Sequence, residues 1–261
     1  MTMKNTQVVL LAGGLGTRLS EETDRIPKPM VSIGSHPILW HIMKCYAHFG
    51  FNDFIICGGY KISAIIEYFV NYRLHTSNLR VDMGTNQVTY LNDAPETWKV
   101  TIINTGEQTQ TGGRLRRVRE HLTPGQPFCM TYGDGLSDVN LADVFDFHRR
   151  RGFEATLTAV RPTARFGSTE ITDGRITKFS EKPVSGEGHI NGGFFVLNHS
   201  VLDLIDGDDT VWERGPLETL AERGTLGAYV HDGFWQPMDT LRERRNLEDI
   251  WHTGKAPWKL W

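Results

Sequence analysis

The sequence of 261 residues has little of what marks membrane, secreted or metal-thiolate proteins. Its three cysteines, Cys45, Cys57 and Cys129, are too few for a disulfide framework and too widely spaced for a zinc motif. No apolar run reaches the roughly 18 residues of a membrane span, and no signal-peptide pattern opens the chain. These absences favour a protein of the reducing cytoplasm.

The charge is close to balanced, with 28 Lys and Arg against 31 Asp and Glu and a formal net charge of −3. A chain without a strong positive field is not expected to bind nucleic acid or an acidic membrane surface along its length. Any binding of phosphate must therefore come from local clusters of cations. A hydrophobic content of 39% supports a sizeable core, and we expect one α/β domain over 1–261.

The stretch 8–29, VVLLAGGLGTRLSEETDRIPKP, combines an apolar strand with a glycine loop and two cations. Its first five residues predict a short buried strand. Backbone N–H groups of glycine can approach an anion or a flat base closely, and arginine and lysine add charge-assisted contacts to phosphate. The residues that suggest nucleotide binding are Gly13, Gly14, Gly16, Thr17, Arg18 and Lys28.

Two common nucleotide-binding motifs do not fit this loop. A Walker loop needs Gly-Lys followed by Ser or Thr, and no such sequence follows these glycines. The third glycine of the dinucleotide fingerprint would fall at Leu19, while Pro27 and Pro29 argue against one long helix starting at the loop. A purely structural turn is the alternative, and the neighbouring cations favour nucleotide binding over it.

Strand and helix patterns alternate after the loop, which predicts a largely parallel sheet. The segment 75–100 interrupts this alternation, because two short strands flank Gly84-Thr85-Asn86 and predict a hairpin outside the main sheet. The segment 240–261 is a predicted helix and tail, whose Trp258 and Trp261 we expect to dock on this subunit or a neighbour. The predicted strands include 30–33, 51–57, 99–104, 128–132, 155–160, 176–180, 190–197 and 226–230, and the predicted helices are 37–49, 62–72, one that begins near Arg114, 141–151 and 216–223.

Four further residues are candidates for function, each with a plain structural alternative. Asp134 follows a predicted strand between two glycines, where a cation could be held, although an aspartate in a tight turn is common. Asp239 could be the N-cap of the next helix. Thr109 and Arg114, in a polar loop, offer a hydroxyl and a forked guanidinium to a nucleotide, or simply face solvent.

The motif LAGGLGTRL followed by PKPM resembles the signature of sugar nucleotidylyltransferases, which join a nucleoside triphosphate to a sugar 1-phosphate and release pyrophosphate. With the downstream motifs, the chain is similar over nearly its whole length to the glucose-1-phosphate cytidylyltransferases. The resemblance implies a Rossmann-like, glycosyltransferase-A-like α/β fold with a mixed, mainly parallel sheet flanked by helices. It also implies CTP and glucose 1-phosphate as substrates, Mg²⁺ as cofactor, a homo-oligomer that is a hexamer, and a product used in dideoxysugar synthesis for surface polysaccharide.

The same resemblance assigns roles to individual residues. Asp134 and Asp239 would share Mg²⁺, Arg18 would stabilise the leaving phosphates and Lys28 the α-phosphate. The implied nucleotide-binding residues are Leu11, Ala12, Gly13, Gly14, Gly16, Thr17, Arg18, Lys28, Thr109, Arg114 and Gly133, of which 11–14 would lie against the base. The implied sugar-phosphate-binding residues are Gly167, Glu181, Lys182, Asn191 and Gly193.

The chain departs from this family pattern at two places. Asn104 stands where the family usually has aspartate, and Ser168-Thr169 replaces the usual Ala-Leu. The second departure bears on which sugar is used, and three alternatives stay open. They are the same reaction with dTTP, UTP or another sugar 1-phosphate, a regulator that binds sugar nucleotide without catalysis, and a dinucleotide-dependent oxidoreductase, against which the missing third glycine counts.

Overall fold

A seven-stranded sheet runs through the protein in the computed structural model, which describes residues 3–16, 19, 23–24, 26–161, 168–172, 175–180 and 188–261. The strands are β1 (Gln7–Leu11), β2 (Ser32–Ile33), β3 (His36–Pro37), β4 (Asp53–Gly58), β5 (Leu79–Asp82), β6 (Gln87–Tyr90), β7 (Lys99–Asn104), β8 (Phe128–Tyr132), β9 (Gly135–Ser137), β10 (Ala155–Val160), β11 (Ser168–Thr172), β12 (Arg175–Ser180), β13 (Ile190–Leu197), β14 (Leu226–His231) and β15 (Trp235–Pro237). The α-helices are α1 (Ile38–His48), α2 (Ile62–Val70), α3 (Tyr72–Thr76), α4 (Thr111–Arg117), α5 (Leu141–Arg151), α6 (Gly215–Glu222) and α7 (Leu241–His252). None of these helices combines the length and hydrophobicity that crossing a membrane requires.

The sheet is mixed and mainly parallel, which confirms the predicted fold class. Its strand order is β14-β10-β13-β8-β1-β4-β7. The neighbours β8, β1, β4 and β7 are parallel, as are β10 and β14, whereas β13 runs antiparallel to both β10 and β8. The carboxyl ends of four adjacent strands and the amino end of β13 therefore meet at one edge, where ligands of such sheets bind.

The central strand β1 is buried on both faces, which explains its continuous apolar sequence. Val8 and Leu10 pack into one hydrophobic layer with α1, α5 and α7, while Val9 and Leu11 pack into the other with α4 and α6. Because both faces are covered, β1 cannot move without disturbing two cores. The loop that follows it starts from a rigid base.

The segment predicted to leave the main sheet forms a separate hairpin. β5 and β6 pair with each other antiparallel, and β7 then returns to the seven-stranded sheet. Asp82 shapes the turn, because one carboxylate oxygen accepts the N–H groups of Gly84 and Thr85 at 2.8 and 3.1 Å. The tip is open to solvent, with Met83 86% exposed.

Three predicted elements differ from the structure. The predicted strand 30–33 is shorter than expected, because Lys28–Met30 form a 3-10 turn, as Pro27 and Pro29 favour, and the strand β2 covers Ser32–Ile33. The predicted helix 62–72 is divided at Asn71, whose side chain donates to the Glu67 carbonyl and competes with helical bonding. The helix expected to start near Arg114 starts at Thr111 instead, because backbone carbonyls of 208–210 accept its first N–H groups.

The C-terminal tail docks on its own subunit, which is one of the two arrangements expected from the sequence. Trp258 is fully buried and stacks near-parallel between Trp251 and Phe234, at centroid distances of 6.3 and 5.4 Å. Its indole N–H donates to His41 Nδ1 at 3.4 Å. The tail therefore completes the core layer formed by α1 and α7.

His41 makes the stability of this layer dependent on pH. Its Nε2 donates to the Ile33 carbonyl at 2.9 Å, and burial lowers the pKa of His41 to about 4. The unfolded chain takes up this proton near pH 6.5 and the folded chain only near pH 4, so stability is lost as the pH falls through that window. We expect this group to reduce the free energy of unfolding by about 3 kcal/mol between pH 7 and pH 4.

Urea denaturation at several pH values measures this effect. His41→Gln is expected to flatten the pH dependence relative to wild type, while His252→Gln, which changes an exposed side chain, leaves it unchanged. The same slope in all three proteins would contradict the assignment.

Candidate active site

A cavity of about 490 Å³ opens at the sheet edge where β1, β7 and β8 end. Its walls are the loop after β1, the segment 107–111 after β7, and the turn after β8. The described residues that the sequence assigned to nucleotide or metal binding all line it: Leu11, Ala12, Gly13, Gly14, Gly16, Lys28, Thr109, Arg114, Gly133, Asp134 and Asp239. Thr17 and Arg18 lie outside the described residues.

Three charged groups meet at one point of this cavity. Lys28 Nζ lies 2.6 Å from Asp134 Oδ2 and 2.6 Å from Asp239 Oδ1. Burial alone would lower the pKa of Lys28, but the two carboxylates outweigh this and raise it above its usual value. The two carboxylates therefore share one cation.

Pairing of two short strands brings these aspartates together. β9 begins directly after Asp134, and β15 ends two residues before Asp239. The two strands pair antiparallel, with Gly135 opposite Pro237, and the Met238 N–H donates to the Asp134 carbonyl at 2.8 Å. The spacing of the carboxylates is therefore set by backbone hydrogen bonds.

The alternative interpretation of Asp239 as an N-cap is wrong. Thr240 is the N-cap of α7, because its hydroxyl accepts the Glu243 N–H at 3.2 Å. The Glu243 carboxylate reaches back to the N–H groups of Asp239 and Thr240, at 2.8 and 2.9 Å. This capping box fixes the backbone of Asp239 and leaves its carboxylate in the cavity.

The donor set fits a hard divalent cation. Within the described ranges, no three His, Cys, Asp or Glu side chains cluster in a way that could hold a metal ion. The carboxylates of Asp134 and Asp239, which meet at Lys28, are hard oxygen donors that could supply part of the coordination of such an ion, with phosphate oxygens and water supplying the rest. That division suits Mg²⁺, which keeps several waters and is bound through one or two carboxylates plus substrate phosphates.

Arg114 lies beneath the glycine loop with its guanidinium bound to protein atoms. The residue is 4% exposed, and a Cβ at Gly13 would fall 1.9 Å from Nη1. Its hydrogen-bond acceptors are the carbonyls of Gly13 (2.9 Å), Gly58 (3.3 Å), Gly106 (2.8 Å) and Glu107 (3.2 Å) and the Thr105 hydroxyl (2.8 Å). Arg114 thereby joins the end of β4 to the loops that follow β1 and β7.

A narrower cavity of about 40 Å³ lies beside the first, and Tyr132 and Asp134 line both. Asn191 and Gly193, assigned to sugar binding, line this second cavity. Gly193 has a φ of +82°, and a Cβ there would lie 2.6 Å from the Tyr132 ring. The bulged glycine thus makes room for the tyrosine. Gly167, Glu181 and Lys182 lie outside the described residues.

Two residues that shape these cavities, Tyr132 and Glu213, were not predicted from the sequence. Tyr132 ends β8 two residues before Asp134, so the position of strand ends could have revealed it. Glu213 accepts hydrogen bonds from both Tyr132 and Thr111. It has no local sequence signal, because its partners lie 81 and 102 residues away.

Comparison with known sequences finds similarity to nucleotidyl transferases. Residues 7–221 match the model of the nucleotidyl transferase family. A glucose-1-phosphate cytidylyltransferase of Salmonella typhimurium is 54% identical over 255 residues, which cover 98% of this chain and 99% of that protein. A mannose-1-phosphate guanyltransferase of Yarrowia lipolytica is 31% identical over 243 residues, covering 89% of this chain and 61% of that protein.

Comparison with solved structures supports the fold. The crystal structure of HddC from Yersinia pseudotuberculosis superposes with a TM-score of 0.70 over 94% of this chain and 99% of that chain. The sequence identity is 23%, so this likeness shows the fold alone.

Replacing Arg114 tests its role as the link between loops. Arg114→Met removes all five of the hydrogen bonds that the buried guanidinium donates, and we expect it to reduce the free energy of unfolding by about 2 kcal/mol or more. Arg117→Met is the matched control, since Arg117 is exposed on the same helix and pairs with exposed Asp208. Urea denaturation of both variants gives the comparison. Equal stability of Arg114→Met and wild type would contradict this role.

Proposed function

The chain belongs to the nucleotidyl transferase family, and we propose that it transfers the cytidylyl group of CTP to α-D-glucose 1-phosphate, giving CDP-glucose and pyrophosphate. One observation carries the proposal: Lys28, Asp134 and Asp239 meet at one point of a cavity bordered by the glycine loop. The choice of base and sugar is supported by the activity named for the Salmonella relative.

The reaction requires positioning more than covalent catalysis. The phosphate of glucose 1-phosphate is itself the nucleophile, and it attacks the α-phosphorus of CTP in line while pyrophosphate leaves. Two polyanions repel each other, so cations must hold them together. Lys28 is suited to this, because its backbone lies in a 3-10 turn flanked by Pro27 and its ammonium reaches the cavity.

Asp134 and Asp239 would hold Mg²⁺, which when bound would neutralise phosphate charge and orient the leaving group. Their carboxylates also hold the Lys28 ammonium, so Lys28 and a divalent cation compete for the same oxygens. A lysine released from this pair is free to face the α-phosphate. We assign Arg18 and Thr17 to the nucleotide phosphates on the resemblance of their motif.

Glucose 1-phosphate would bind on the side of the narrower cavity. Asn191 and Gly193 line it, and Asp134 connects it with the larger one. The assignment of Gly167, Glu181 and Lys182 to the sugar phosphate rests on the resemblance. Nucleotide and sugar phosphate would thus meet at Asp134.

We further propose that the chain 1–261 acts as one domain in a cytoplasmic homo-oligomer, a hexamer. Exposed apolar side chains support a subunit contact, with Val70 75% and Met83 86% exposed. The three cysteines are buried free thiols, which suits a reducing compartment.

Pyrophosphate release tests the proposed function directly. With glucose 1-phosphate and Mg²⁺, we expect release chiefly with CTP when CTP, dTTP, UTP, GTP and ATP are compared, and none with EDTA. Release with another nucleotide would preserve the reaction and overturn the base. No release with any nucleotide or sugar 1-phosphate, despite tight binding of a sugar nucleotide, would instead favour a regulator.

Binding of Mn²⁺ to the free protein tests the metal site without turnover. Asp134→Asn removes one carboxylate and is expected to weaken Mn²⁺ binding at least tenfold and to abolish most turnover. Lys28→Met removes the competing cation and is expected to strengthen Mn²⁺ binding, although it lowers kcat. Titration followed by electron paramagnetic resonance measures both.

Asp138→Asn is a control for the Mn²⁺ titration, because Asp138 lies near the same turn but pairs with His231. Unchanged Mn²⁺ affinity in both Asp134→Asn and Lys28→Met would remove the metal assignment.

A further inference from the structure

The carboxylate of Glu213 lies between two parts of the candidate active site. One oxygen accepts the Thr111 hydroxyl at 2.6 Å, and the other accepts the Tyr132 hydroxyl at 2.5 Å. Thr111 Oγ1 in turn accepts the Trp212 N–H at 2.9 Å. Each oxygen of one side chain therefore holds a hydroxyl from a different wall.

Thr111 belongs to the segment 107–111 that lines the larger cavity, which we call the nucleotide-side loop. Thr111 is the first residue of α4 and lines the larger cavity together with 107–110. The N–H groups of Gln110 and Gly112 donate to the carbonyls of Asp208 and Thr210, at 2.8 and 2.9 Å. A Cβ at Gly112 would lie 2.7 Å from the Thr210 carbonyl oxygen. The segment that leads to Glu213 thus supports the end of this loop from below.

Tyr132 belongs to the wall between the two cavities, which it forms with Asp134 and which we call the sugar-side wall. Tyr132 lines both cavities, and its ring packs against the backbone of Gly193. Asn191 Nδ2 lies 3.5 Å from the Tyr132 hydroxyl. Asp134 follows two residues later and also lines both cavities. A shift of Tyr132 would therefore alter the sugar side and the neighbouring carboxylate together.

We propose that Glu213 is a positioning residue that holds the nucleotide-side loop and the sugar-side wall in one relative placement. The inference rests on the proposed function, which assigns the two sides to CTP and to the sugar phosphate. A carboxylate suits this task because both of its oxygens accept hydroxyl donors, whereas an amide offers one carbonyl oxygen.

The expected kinetic signature follows from the geometry of in-line transfer. Each substrate mainly contacts one side, so its own binding changes little when the two sides shift relative to each other. The reacting atoms must be about 3–3.5 Å apart and aligned, and a displacement of about 1 Å can reduce the rate by about 100-fold. Loss of the Glu213 link therefore lowers kcat more than it raises either KM.

Steady-state kinetics of Glu213→Gln tests this role. We expect kcat to fall at least tenfold while the KM values for CTP and for glucose 1-phosphate each stay within threefold of wild type. Glu218→Gln is the matched control, because Glu218 is exposed on the adjoining helix α6. It should change neither kcat nor KM.

Two single substitutions separate the link from a general loss of structure. Thr111→Val and Tyr132→Phe each remove one hydroxyl, and each should lower kcat. Combining either with Glu213→Gln should lower kcat by less than the product of the separate effects, because the same link is lost. If Glu213→Gln unfolds, Tyr132→Phe alone provides the measurement, since it removes one oxygen atom.

The outcomes are distinguishable. Unchanged kcat in a folded Glu213→Gln, or a rise of both KM values at unchanged kcat, would overturn the positioning role while wild-type turnover still supports the proposed function. Wild-type protein that releases no pyrophosphate under any condition would overturn both.

Discussion

The candidate active site depends on the hydrogen bonds that the buried guanidinium of Arg114 donates to backbone carbonyls. Parallel strands that end at one edge of a sheet bring loops together there, and each loop carries backbone carbonyls that need donors. A planar cation with several N–H groups donates at once to carbonyls of two loops and of the end of β4. Gly13 permits this, since any side chain there would occupy the space of the guanidinium. The conformation of the glycine loop is therefore fixed by its contact with the Arg114 guanidinium as well as by the conformational freedom of its glycines.

The second cation has a different environment and a different task. Lys28 and its two aspartates carry a combined charge of −1, so the carboxylates can lie close together without the repulsion that two unpaired anions would have. Their geometry is set before any ligand arrives, because β9 and β15 fix both backbones. The Lys28 ammonium, which donates to the carboxylates of Asp134 and Asp239, can be exchanged for another cation, whereas the guanidinium of Arg114 cannot leave its carbonyls without exposing them. One cation is thus structural and the other is available for chemistry.

The sequence predicted the features whose signal is local. The bounds of β7, β8, β10 and β13 agree with the apolar runs that predicted them, and Asp134 was located by its position after β8. The arrangement around Asp239 was beyond such reasoning, because β9 and β15 have three residues each and lie almost a hundred residues apart. Strands this short show no periodicity, so the local sequence favoured an N-cap role for Asp239. Its assignment as a ligand of Mg²⁺ came from the resemblance to a family. Glu213 could not be predicted either, because its hydrogen-bond partners lie 81 and 102 residues away in the sequence.

The charged groups of the cavity and the wall formed by 107–111 are held by different kinds of backbone. The three charged groups that meet in the cavity are held by regular backbone: Lys28 by a 3-10 turn, Asp134 and Asp239 by the pairing of β9 with β15 and by the capped helix α7. The wall formed by 107–111 is instead a loop, supported by Arg114 on one side and by the segment 208–213 on the other. Transfer of a nucleotidyl group makes the same demands on the phosphates whatever the base, whereas choice of a base depends on a few donors and acceptors. Under the proposed function, substitutions in 107–110, which take no part in the Glu213 link, are therefore expected to alter the preferred nucleotide while the transfer geometry stays intact.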